Sequence, residues 1–249
     1  MNLQSMVCVK ALDGNLVFRR LMPIVFLLFA LAALVVSPTT FAQQDDKWRF
    51  RLGAINFDPD VNTSPVTTPS SGQLVGSGVG FDADSQLNIS VTYMMSQSFA
   101  LEANISAPFE HNLSIAGLDR YGLNTTNLGE VKQISPGLSG LYYFGSPSSR
   151  IRPYIGAGFN YTKFFDDSLS TQARAELGAE GLELDEHFGF SARAGIDFRL
   201  GNGWFVNASA WRMSIDTNAS FNSRFGIIST YTEMDPWVYQ LSVGHDFSW

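Results

Sequence analysis

The chain is nearly without cysteine. One residue in 249, Cys8, stands ahead of the only long apolar run, so no disulfide framework can hold the fold. Basic residues are also in short supply, 16 Lys and Arg against 23 Asp and Glu, a formal net charge of −7. That balance argues against a nucleic-acid partner, whose phosphates demand the opposite sign. Beyond residue 42 no apolar stretch is long enough to cross a membrane as a helix. Any route into a bilayer must therefore use strands.

The single apolar run, Leu21 to Val36, follows Arg19 and Arg20 and ends in Thr40, Phe41 and Ala42. A basic start, about 15 apolar residues and a small residue before Gln43 read as a removable secretory signal over residues 1–42. The paired arginines could serve twin-arginine export, but a barrel must cross the periplasm unfolded, which favours the ordinary route. Lys10, Arg19, Arg20 and Asp13 give this leader a net +2, so residues 43–249 carry −9. Cys8 precedes the run, so it cannot be a lipidated cleavage-site residue, and it leaves with the leader.

What fills residues 43–249 is alternation. The last residues place Tyr239, Leu241, Val243, His245, Phe247 and Trp249 on one face, with Gln240, Ser242, Gly244, Asp246 and Ser248 between them. A period of two is a β-strand, and a greasy face that ends in a terminal aromatic is the closing strand of an outer-membrane barrel. Seven earlier segments repeat the pattern: Trp48 to Phe57, Leu87 to Met95, Phe99 to Ile105, about Val131 to Phe144, Ile151 to Phe164, Phe188 to Leu200, and from Trp204 through Ala210. The connections alternate in length. Ser96–Ser98, Ser146–Ser149 and Gly201–Gly203 are tight turns, whereas 58–86, 110–130, 165–186 and 217–235 are long and polar.

The expected fold is all-β, an eight-stranded antiparallel up-and-down transmembrane β-barrel with short periplasmic turns and long extracellular loops. Outward aromatics support it, with Trp48, Phe99, Phe144, Phe198, Trp204 and Trp249 near the periplasmic ends and Phe159, Tyr161, Phe188, Trp237 and Tyr239 near the outer rim. Such rings favour the two lipid interfaces. A soluble β-sandwich or lipocalin-like barrel would leave Arg193, Asp197 and Arg199 on a continuous exterior and has no use for two belts.

Longer stretches resemble the OmpW family of small outer-membrane proteins, which includes the AlkL-type importers. They are Val91–Met95 through Pro108–His111, Leu128–Lys132 into Leu141–Gly145, Arg152–Phe165, Phe188 through Asp197, Trp204–Asn207, Ile215–Thr217 and Asp235–Tyr239. The resemblance implies a narrow, water-poor channel associated with passage of small hydrophobic compounds. Departures are Ser135-Pro136 in place of two prolines, His245-Asp246-Phe247 for a more usual Tyr-Arg-Phe, and a Ser-Trp terminus.

Eight strands enclose a lumen just wide enough for side chains or one small ligand, which excludes a water-filled pore. By phase, Arg49, Arg51, Glu102, Arg152, Arg193, Asp197, Arg199 and Asp246 turn inward, most toward the periplasm. Charges of both signs in so dry a space must pair and so form a plug. Nearer the outside, Ile55, Phe57, Phe164, Trp211, Met213 and Ile215 point inward as an apolar site, provided that the seventh strand keeps its phase past Ala210. A β-bulge there would turn Trp211 and Met213 outward. Pro108 and Pro136 flank the second loop, cannot donate ladder hydrogen bonds, and mark a place where the third and fourth strands can part sideways. Both features have plainer readings, as packing beneath the loops and as strand ends.

The expected function is passive uptake of a small hydrophobic solute, with outer-membrane lipid and, through the C-terminal strand, the barrel-assembly machinery as further partners. The alternative is a structural or adhesive barrel whose loops bind surface partners. An enzyme is not expected, since His187 and Ser191 stand four strand residues, about 13 Å, apart. No cofactor is implied. His111, His187 and His245 lack metal-ligand spacing. Gly76, Gly78 and Gly80 precede no helix, so they are not a phosphate loop. Residues 173–184 in the third loop are open to either a short helix or disorder.

Overall fold

The computed structural model describes residues 48–247. The leader, Cys8 and the terminal Trp249 lie outside the described residues. Eight strands build the wall: β1 Trp48–Asp58, β2 Asp84–Met94, β3 Phe99–Ser106, β4 Gly137–Tyr143, β5 Ile151–Leu169, β6 His187–Gly201, β7 Trp204–Met213 and β8 Trp237–Phe247. Each pairs antiparallel with its neighbour in sequence, and β1 closes on β8 from Trp48↔Phe247 to Asp58↔Trp237. Closure leaves no strand of the wall with a wholly free edge, which is what a sheet needs where lipid can satisfy no backbone group.

The face assignment is the reverse of a soluble protein's. Along β8, Trp237, Tyr239, Leu241, Val243 and Phe247 are exposed while Val238, Gln240, Ser242, Gly244 and Asp246 are buried. The same inversion puts Leu52, Ile155, Phe190 and Ile196 outside and Arg49, Arg51, Glu102 and Asp197 inside. Lipid is the only solvent that makes this favourable. The outward rings cluster at two heights, Trp48 with Tyr93 and Phe99 with Tyr142 below, Phe159 with Phe188 and Trp237 with Tyr239 above.

The periplasmic connections are tight for local reasons. Between β2 and β3 the Ser96 hydroxyl accepts from the Ser98 and Phe99 amides. Between β6 and β7, Gly201, Asn202 and Gly203 all take positive φ, which glycine and asparagine tolerate best.

At the other end the structure departs from the expected loops. Residues 109–116 and 127–134 form a hairpin that pairs with the top of β5 on one side and with Gly78–Phe81 on the other. A second hairpin, Ile215–Ser223 with Gly226–Met234, takes up Glu180–Leu184 and Val61–Thr63 at its two edges. Over residues 173–184 the structure has helix α1, Thr171–Leu177, whose N-cap Ser170 accepts from the Ala173 amide, followed by the strand Glu180–Leu184. The connections thus continue the wall upward and roof it.

One strand boundary needs correction. The segment Val131 to Phe144, expected as a single strand, breaks at Ser135-Pro136 into the rim strand Asn127–Ile134 and β4. Pro136 has no amide hydrogen to continue the ladder.

Candidate functional site

The lower lumen is closed by a charge network. Arg49 donates to Asp246 at 2.6 Å and to Asp197 at 2.7 Å, and Arg199 donates to Asp246 at 3.1 Å. Glu102, fully buried, accepts from Arg51, Arg193 and the Thr92 hydroxyl. Asp197 is shared further, with Asn207 donating at 2.7 Å and Arg51 lying 3.8 Å away. Arg152 alone of the five arginines has no carboxylate; it donates to the Gln97 carbonyl at the periplasmic turn. The eight expected plug residues are thereby placed around one lumen. Parting any of these pairs would leave a buried charge uncompensated.

Three inward aromatics join this network and were not singled out from sequence. The Arg49 guanidinium lies 4.3 Å from the Phe205 ring, Arg152 lies 4.6 Å from Tyr143, and Arg51 lies 5.6 Å from Tyr154. Tyr143 also accepts from Arg51 at 2.5 Å, and Asn207 donates to Tyr154 at 3.1 Å. The signal was present, since Tyr143 follows outward Tyr142 and Phe205 follows outward Trp204. Glycine makes the room. A Cβ on Gly195 would come within 2.4 Å of the Tyr154 ring, and one on Gly244 within 2.3 Å of Phe205.

Above the plug the lumen turns apolar. β7 holds its phase past Ala210, with Trp211 paired to Arg193 and Val238 and no bulge between, so Trp211 and Met213 are 3% and 6% exposed. Ile55, Phe57, Phe164 and Ile215 are buried in the same cluster, which also takes in Leu74, Phe81, Leu113, Leu177, Phe221 and Ile228 from the roof. The six residues expected to line an upper site are therefore together, under a packed cover.

Four of them, Ile55, Phe57, Trp211 and Met213, line a small cavity with Phe109 and Val238. Its other half is polar, with Asn88, Asn104, Ser106, Ser135, Asn160 and Arg193. Its volume is about 20 Å³, room for about one water molecule. Phe164 instead faces Phe81, and Ile215 begins the second rim hairpin. Arg193 marks the boundary between plug and cavity, its guanidinium 4.4 Å from the Trp211 ring.

The cavity lies beside an interruption in the wall, with Asn104, Ser106, Ser135 and Gly137 in its lining. Pairing of β3 with β4 stops at Asn104↔Gly137 and resumes only at Phe109↔Gln133 in the rim hairpin. Among the described residues nothing pairs Ile105–Pro108 with Ile134–Pro136. Each segment stays tied to its outer neighbour instead, Ala107 donating to Leu87 and Tyr161 donating to Pro136. Pro108 and Pro136 occupy this interruption, and neither carries an amide hydrogen.

His111, expected in a loop, is buried on the rim strand beside Phe57 and Phe109. Its Nδ1 donates to the Asp82 carbonyl at 2.7 Å, which fixes the tautomer. Burial holds its pKa below the ordinary histidine value.

The sequence model of the OmpW family matches residues 44–247, nearly the whole of the barrel and its roof. The chain belongs to the OmpW family. Outer membrane protein W of Vibrio cholerae is 34% identical over 220 residues, 88% of this OmpW-family chain and 97% of that protein. OprG of Pseudomonas aeruginosa, known from its crystal structure, is 30% identical with a TM-score of 0.77, over 83% of this chain and 98% of that one. PahQ of Pseudomonas aeruginosa, a dibenzothiophene metabolism operon protein, is 24% identical over 230 residues, 92% of this chain and 99% of that protein. This OmpW-family barrel is an outer-membrane protein.

Proposed function

We propose that this barrel takes up small hydrophobic molecules passively, receiving them in the upper lumen and releasing them sideways into the bilayer between β3 and β4. The observation that carries the reading is the interrupted β3–β4 pairing, directly beside the cavity lined by Trp211 and above a lumen blocked by ion pairs. A solute cannot continue downward without parting buried charges, but it can pass between two wall segments that no ladder bond joins. Affinity comes from apolar area removed from water, about 25 cal/mol per Å². The operon name of PahQ, with its sulfur-containing polycyclic aromatic, fits solutes of this class. The cavity at rest is smaller than any such solute, so Trp211, Phe57 or Met213 must turn aside as it enters.

The reading includes removal of residues 1–42 on export and insertion by the barrel-assembly machinery through β8. No catalytic step enters it. His187 and Ser191 stand opposite Thr162 and Gly158 respectively, too far apart along β6 to act together.

The test is the initial rate of toluene uptake by Gram-negative cells that hold wild-type or Trp211→Asp protein at matched outer-membrane levels. We expect the substitution to remove the protein-dependent part of the uptake. Equal rates would strike the upper lumen from the pathway.

A further inference from the structure

The cavity beneath the roof is not a purely greasy site, and its polar half is deficient in acceptors. Two of its lining residues each carry a donor buried without a partner: Asn88 its Nδ2, the sister oxygen already accepting from Gln240 at 3.0 Å, and Arg193 its Nε. Arg193 is 6% exposed, and its other nitrogens reach Glu102 and Asn104. The charge balance leans the same way. The lumen network holds five arginines, Arg49, Arg51, Arg152, Arg193 and Arg199, against three carboxylates, Glu102, Asp197 and Asp246. Glu102 must serve both Arg51 and Arg193.

We infer that the solute bound here is an amphiphile with an anionic oxygen head, a monocarboxylate on a small apolar body, rather than a plain hydrocarbon. The head oxygen takes the place of the single water that the cavity can hold, accepting from Arg193 and Asn88. The body displaces Trp211, Phe57 and Met213, the apolar part of the lining. An unpaired buried donor costs free energy that an acceptor recovers, and an acceptor with a full charge next to a guanidinium that shares its only carboxylate recovers more. A hydrocarbon head would expel the water and leave both donors unmet. The inference rests on the site assigned under Proposed function but concerns what binds there, not whether it is carried across.

The experiment is calorimetric titration of the full-length protein in lipid nanodiscs at pH 7.5, with empty nanodiscs subtracted. The probes are 4-methylbenzoate and toluene, which share one body and differ in the head. Wild type should bind 4-methylbenzoate at least tenfold tighter than toluene. Asn88→Asp keeps the oxygen that receives Gln240 but turns the free donor into a like charge, and should weaken 4-methylbenzoate at least tenfold. Arg193→Lys keeps the charge and deletes Nε, and should weaken it less. Circular dichroism establishes that each variant retains its barrel. Toluene binding as tightly as 4-methylbenzoate, or an Asn88→Asp protein with undiminished affinity for the carboxylate, overturns the inference while leaving the uptake reading intact. Absence of binding by either probe removes the site from both.

Discussion

Replacing Glu102 with alanine is the most direct probe of the plug. It leaves Arg51 and Arg193 without the carboxylate they share at the centre of the lumen. Removing one partner of a buried ion pair costs about 3–5 kcal/mol, because the remaining charge stays desolvated. Here the survivors are partly compensated. Arg51 keeps Tyr143 and, at 3.8 Å, Asp197, while Arg193 keeps Asn104 and the Trp211 face. We therefore place the loss near the lower bound, about 3 kcal/mol, or about two orders of magnitude in the folding equilibrium. The control is Asp60→Ala, which breaks the rim pair with Arg212 at 2.9 Å, where both side chains are substantially exposed. A pair of that kind is worth about 0–1 kcal/mol. Urea unfolding in lipid vesicles, followed by tryptophan fluorescence, gives both numbers from midpoints at matched slopes. If Glu102→Ala falls within about 1 kcal/mol of the control, the lumen is wet enough to solvate guanidinium and the plug is no barrier.

Two other perturbations have defined signs. His111 is harder to protonate in the fold, where burial holds its pKa down, than in the unfolded chain, where it is ordinary near 6.5. The unfolded chain therefore takes up the proton first, so stability is full above about pH 6.5 and falls as pH drops from there through the lowered folded value. Urea midpoints at pH 7.5 and 5 should differ for wild type and converge in His111→Phe; an unchanged pH difference in the variant would assign it to other groups. Gly195→Ala drives a methyl to within 2.4 Å of the Tyr154 ring, which is buried against Tyr143. Overpacking of this kind costs about 1–3 kcal/mol, and a midpoint equal to wild type would mean that Tyr154 can swing clear.

Much of the wall was legible in the chain because lipid and lumen act on alternate residues. Once Trp237, Tyr239, Leu241 and Val243 are read as outward, Gln240, Ser242 and Asp246 must be inward, and the plug residues follow from the same phase in the other strands. The roof was harder. Phe109, His111, Leu113 and Ile115 also alternate, and are buried in turn, but over a span bounded by Pro108 and Gly117 that reads as loop. In the second hairpin the inward positions include Thr217, Thr230 and Thr232, too polar to stand out from their neighbours.

Which side chains meet lipid and which meet the lumen follows from the order of residues alone, since two-residue periodicity is a local property and one slip of register would reverse every residue of a strand. The tertiary structure alone decided who meets whom across the tube: Arg49 with Asp197, 148 positions away, Glu102 between two arginines, the break at Pro136, and the roof over Trp211. Those pairings depend on strand tilt and closure, which couple residues distant along the chain and leave no mark in any one segment.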